Sequence, residues 1–166
     1  MKLLIIRHGQ AGEREDWRAT GRPDSERPLT KDGRRKTRAA ARGLKDLVDG
    51  VDLVMSSPWT RAAQTAELVA EALGGKLATL DSLTPDRPYG DTLAWLKTRK
   101  EKRIALIGHE PHLSGLVSWL TVGLDRSILR LKKSQALLLY LPKTQAGAGE
   151  LVWSIPPRQL RALSRN

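Results

Sequence analysis

A chain of 166 residues has the length of one domain, long enough to bury a hydrophobic core without disulfide or metal staples. The absence of cysteine excludes disulfides, thiolate nucleophiles and zinc-thiolate sites, and fits a reducing compartment, so the expected location is the cytoplasm. A formal charge of +11, from 29 Lys and Arg against 18 Asp and Glu, attracts polyanions at long range; but the cations are spread over "KDGRRKTR", "KTRKEKR", "RLKK" and "RQLRALSR", and aromatics are only 4% with no Phe, which argues against a specific nucleic-acid reader.

In chain order, "MKLLIIRHG" offers one lysine and a short apolar run before Arg7. That is too little for a signal peptide, and no run of about 18 apolar residues follows, so neither export nor membrane spanning is expected. Residues 3–6 read as a strand buried on both faces. The polar stretch from Ala11 to Arg27 reads as a long surface loop, of a length that tends to be functional. After Thr30 as N-cap, Ala40, Leu44, Leu47 and Val48 keep helical spacing until Gly50.

A strand follows at 51–56. Ser57 then caps a helix with Pro58 at its first position, carried by Ala62, Thr65, Ala66, Val69, Ala70 and Leu73 to a Gly74-Gly75 stop. A short helix is expected around Thr92 to Thr98 and a strand at 104–107. A helix starting at Pro111 places Leu113, Leu116, Val117 and Leu120 on one face, and strands at 136–141 and 150–155 pair as a hairpin across "KTQAGAG". Alternating strands and helices mark an α/β fold, here a three-layer sandwich whose central, mostly parallel sheet is flanked by helices and ends in a C-terminal hairpin, residues 1–166 forming a single domain.

Three strand-to-helix junctions hold the reactive side chains: "IIRHG", "MSSPWTRAAQT" and "LIGHEPH". In open α/β sheets the ligand crevice lies beyond the carboxyl ends of the strands, so Arg7, His8, Arg61 and His109 are expected to converge. Gly9 is read as the residue that lets the chain turn so that a ligand can approach. Two arginines and two histidines, with no acid evident beside them, form a set of donors suited to phosphate or a similar tetrahedral anion. His112, on the first turn of its helix, is read as supporting or superficial.

Taken in order, "RHG", "RPLTKDG", "SSPWTRAAQTAE", "LTPDRPYGD", "GHEPHLS" and "KKSQALLLYL" resemble the histidine phosphatase superfamily, whose fold is phosphoglycerate mutase-like, and within it the small SixA-like phosphohistidine phosphatase branch. The resemblance spans nearly the whole chain. It implies that His8 is the nucleophile, that Arg7 and Arg61 clamp the phosphoryl oxygens, that His109 adds a further donor, and that neither metal nor cofactor is needed. It makes Asp24 the first candidate for the proton donor, ahead of Glu13, Asp91 and Glu110; Gln10, by its position next to the pocket, is a candidate to hydrogen-bond a phosphate oxygen.

The implied activity is removal of phosphate from phosphohistidine on a protein, for instance a histidine-phosphotransfer protein, by a monomeric enzyme. The alternatives are a phosphomonoesterase acting on a sugar phosphate or nucleotide, and a phosphate- or nucleic-acid-binding module that has lost catalysis.

Overall fold

The apolar runs assemble into one six-stranded sheet in the computed structural model, which describes residues 1–164. Strand β1 spans Lys2–Arg7, β2 Leu53–Ser56, β3 Lys76–Thr79, β4 Arg103–Gly108, β5 Ala136–Tyr140 and β6 Glu150–Ile155, in the order β3-β2-β4-β1-β5-β6. The pairs β1–β4, β2–β4 and β2–β3 are parallel, while β5 joins β1 antiparallel and β6 closes the hairpin. Register aligns Arg7 with Gly108 and Ser56 with Ile107. The carboxyl ends of β1, β2 and β4 therefore finish on one edge, and the residues that follow them meet there.

Side chains alternate across the pleat. Leu3, Ile5, Met55, Leu106 and Leu137 point to one face, Leu4, Ile6, Val54, Ala105 and Leu138 to the other. Helices α4 (Tyr89–Lys97) and α5 (His112–Val122) cover the first face with Leu93, Leu96, Leu113, Leu116 and Leu120. The second face is covered by α2 (Lys31–Gly43), α3 (Thr60–Leu73) and α6 (Pro157–Leu163), through Ala40, Ala41, Ala62, Ala66, Val69 and Leu160. Small residues on α2 and α3 let these helices lie close to the sheet.

Several boundaries differ from the sequence reading. The stretch from Ala11 to Arg27 is not all loop: it holds a short helix α1 (Arg14–Arg18) and a 3-10 turn at Asp24–Glu26, neither with a buried residue, so no apolar period marks them. Strand β3 is exposed along its length at the sheet edge, and α6 buries only Leu160. Helix α2 ends at Gly43 and continues as a 3-10 turn rather than running to Gly50, and α4 starts at Tyr89.

Helix α3 starts at Thr60, and Ser57 does not cap it; the serine is taken up elsewhere, as described below. Thr30 does cap α2, its Oγ1 accepting from the Gly33 amide at 2.9 Å. No helix among the described residues is long and apolar enough to cross a membrane.

Candidate active site

At the end of β1 the chain is pinned on both sides. The His8 amide donates to the Gly108 carbonyl at 3.0 Å, and the Ser134 amide donates to the carbonyls of Arg7 and His8. Gly9 donates its amide to Thr65 Oγ1 of α3 at 3.0 Å. The reason for glycine here is not a left-handed turn, since Gly9 has no positive φ. A Cβ at this position would lie 2.2 Å from Thr37 Oγ1 of α2; glycine lets that helix pack against the strand end.

His8 is only 6% exposed. Its Nδ1 lies 2.7 Å from the Gly9 carbonyl, an acceptor only, so Nδ1 carries the proton and Nε2 the lone pair. Burial lowers its pKa to about 3; the Gly9 carbonyl opposes this, and the charges of Arg61, Arg7 and Lys133 reinforce it. The imidazole is thus neutral over the physiological range. Its Nε2 faces the Nε of Arg61 at 3.3 Å.

Arg61, on the first turn of α3, is 3% exposed. Its Nη1 donates to the Asp24 carbonyl at 2.8 Å and its Nη2 to Asp24 Oδ2 at 3.1 Å, while the guanidinium lies over the Trp59 ring at 4.6 Å. Asp24 also accepts from Arg27 Nε through Oδ1 at 2.8 Å, and Arg27 bonds the Gly12 carbonyl. The segment after His8 and the 3-10 turn are thereby laced onto α3. Partial burial alone would raise the Asp24 pKa, but the hydrogen bond from Arg27 and the charges of Arg61, Arg27 and Arg14 hold it below the ordinary carboxylate value.

His109 follows β4 directly and is 2% exposed. Its ring centroid lies 5.1 Å from that of His8 and 4.8 Å from Trp59. Its Nε2 is 2.9 Å from Ser57 Oγ, and its Nδ1 is buried without a partner among the described residues. Burial, then the charges of His8 and Arg61, lowers its pKa to about 2. Arg7 donates through Nη1 to the Leu131 carbonyl at 2.7 Å, and its buried Nε has no partner among the described residues.

The structure brings His8 together with Arg61 and His109 and sets Arg7 one residue before His8. Asp24, the acid that the resemblance offered as proton donor, lies against Arg61. Both Asp24 oxygens are held by guanidinium groups, and its pKa is depressed. The Gln10 side chain has no hydrogen bond among the described residues; its carbonyl accepts from the Thr30 amide at 3.0 Å and anchors the start of α2.

Glu110 takes a bond from Ser114 on one oxygen, and its other oxygen is buried without a partner among the described residues. Glu13 and Asp91 are exposed. His112 is buried but turned away, its Nε2 3.1 Å from the Arg87 carbonyl and its ring against Tyr89; it joins a cleft of about 510 Å³ that includes Arg87, Trp119 and Asp125. Ser57 and Trp59 escaped the sequence reading, because a serine before a proline resembles a helix cap. The available signal was Ser57 itself, a polar residue directly after a strand buried along its whole length.

A family model for the histidine phosphatase superfamily (branch 1) matches residues 3–92. An uncharacterized protein of Picosynechococcus is 34% identical over 138 residues, covering 81% of each chain. The phosphohistidine phosphatase SixA of Escherichia coli is 29% identical over 166 residues, covering 97% of each. A solved structure of the protein histidine phosphatase SixA complexed with tungstate superposes with a TM-score of 0.82 at 29% identity, covering 96% of this chain and 99% of the other.

Proposed function

Because the chain belongs to the histidine phosphatase superfamily, in its SixA-like branch, we propose that it removes phosphate from phosphohistidine on a protein through a covalent intermediate on His8. The observation that carries this reading is the state of His8: Nδ1 tied to the Gly9 carbonyl, Nε2 free of a proton, and a ring held neutral at physiological pH. The similarity to a protein whose name states phosphohistidine as substrate supports the choice of leaving group. The tungstate in the related structure, a tetrahedral oxyanion, supports a phosphoryl-binding site rather than any particular leaving group.

In the first step His8 Nε2 attacks phosphorus and the bond to the substrate imidazole breaks. Arg61 Nε, already 3.3 Å from the attacking nitrogen, moves its bond to a phosphoryl oxygen. Arg7 Nε and the His109 ring supply further donors as negative charge redistributes in the transferring group. A substrate imidazole that carries a proton on its distal nitrogen leaves as neutral imidazole, so the step needs no dedicated acid. Asp24 then serves by fixing the Arg61 guanidinium. In the second step water attacks the phosphorus on His8, releasing phosphate and restoring the neutral ring.

The test is incubation with a phosphohistidine-bearing carrier protein, phosphoimidazole and an alkyl phosphate, comparing wild type with His8→Ala. The expected result is turnover of both P–N substrates, a labelled phospho-His8 on rapid quenching, and loss of both in the variant. Preference for the alkyl phosphate with no action on phosphorylated protein would replace this reading with a small-molecule phosphomonoesterase. Absence of any His8 adduct and of turnover would leave a binding module.

A further inference from the structure

The cations are spread along the chain, but more than half of the net charge sits in one segment. Residues 31–45 carry seven cations against one carboxylate, Asp32, a net of +6 within the total of +11. Lys31, Arg34, Arg35, Arg38 and Arg42 recur every three or four residues, so on α2 they form one stripe about 16 Å long. With Ser164 they line a groove of about 360 Å³ in which no carboxylate among the described residues takes part.

Little neutralises the stripe. Arg34 and Arg38 reach Glu67 and Glu71 of α3 only at 3.4 and 3.5 Å, between half-exposed side chains, contacts worth little in water. Arg35 shares Asp32 with Lys36. Lys31 and Arg42 have no acidic partner among the described residues.

The arrangement works against the helix that carries it. Like charges three and four residues apart repel, and cations in a first turn oppose the helix dipole. Packing of Gly33, Thr37, Ala40, Ala41 and Gly43 holds α2 in place, so folding does not explain the stripe. Its position suggests a use: the Thr30 amide bonds the Gln10 carbonyl at 3.0 Å, which sets the first turn of α2 two residues from His8. The stripe starts at the catalytic edge of the sheet and runs away from it.

Resting on the reading that the substrate is a phosphorylated protein, we propose that the α2 stripe docks an acidic surface of that protein while its phosphohistidine enters the His8 site. Four of the five cations are arginines, whose planar forks pair two-pronged with carboxylates. No aromatic side chain lines the groove, so the bases of a single-stranded nucleic acid find nothing to stack on. The exposed apolar side chains Leu77, Val122, Ile128 and Leu151 lie on other elements, so the stripe has no anchor for a membrane.

The test compares wild type with the triple variant Arg35→Gln/Arg38→Gln/Arg42→Gln, and with Arg42→Glu alone in case the triple variant folds poorly by circular dichroism. The expected kcat/KM of the triple variant on an acidic phosphohistidine-bearing carrier protein is about tenfold lower or more, mainly through KM, with a weaker dependence on salt. Arg42→Glu is expected to shift KM in the same direction by a smaller factor. Turnover of phosphoimidazole stays at the wild-type rate, and labelled polyglutamate competes with the protein substrate only.

Equal kcat/KM on the carrier protein in wild type and variants would overturn the docking role, and so would a single-stranded oligonucleotide binding the three arginines more tightly than polyglutamate does. Failure of wild type to act on phosphoimidazole would instead count against the catalytic reading, so the two failures are distinguishable.

Discussion

Every donor nitrogen of Arg61 is engaged before substrate arrives: two on Asp24, one on His8 Nε2. On the proposed mechanism Asp24 is a positioning residue, and its substitution separates two roles. Asp24→Asn is expected to lower kcat by roughly ten- to a hundredfold on a phosphoramidate and an alkyl phosphate alike, because both need Arg61 in place. A proton donor would behave differently, sparing the phosphoramidate, whose leaving imidazole needs no help, and impairing the alkyl ester. Glu110→Gln measured beside it serves as the comparison, since Glu110 has a buried oxygen without a partner among the described residues.

At the scale of elements, glycines set how closely helices approach the site. A Cβ at Gly33 would lie 2.0 Å from the Gln10 carbonyl, and one at Gly43 1.9 Å from the Leu160 carbonyl, both rigid backbone atoms. Each alanine substitution is expected to cost about 1–3 kcal/mol in urea unfolding, as overpacking does. Their effects on turnover should part. Gly33→Ala displaces the segment two residues beyond His8 and lowers kcat, whereas Gly43→Ala disturbs only the α2–α6 contact and leaves kcat near wild type. Equal kinetic effects would mean that the register of α2 does not position His8.

For the molecule as a whole, the buried histidines set the response to acid. The pKa of His8 is lowered to about 3 and that of His109 to about 2, both from an ordinary 6.5, and that of His112 is lowered as well, with burial the largest cause in each. Between pH 6.5 and about 3 the unfolded chain therefore binds protons that the folded one refuses, and stability falls as pH falls. Each such group contributes at most about 1.4 kcal/mol per pH unit in that window. Urea midpoints taken from pH 7 to 4.5 should decline, and His109→Asn should flatten the slope. A pH-independent midpoint would mean that these rings protonate in the folded state.

Much of this molecule was legible in its sequence because apolar period reports burial directly. The runs at 3–6, 53–56, 104–107 and 136–140 are strands because they alternate faces of a covered sheet, and the rule that ligands meet beyond strand ends was enough to gather His8, Arg61 and His109. Elements that bury little, such as α1 and the edge strand β3, leave no such trace. Tertiary structure alone decided the rest. Asp24 reaches Arg61 across 37 residues, Ser57 just ahead of α3 meets His109, and Gly9 is required by Thr37 of another element. Each depends on which surfaces are brought within a few ångströms, and local residue preference carries no record of that distance.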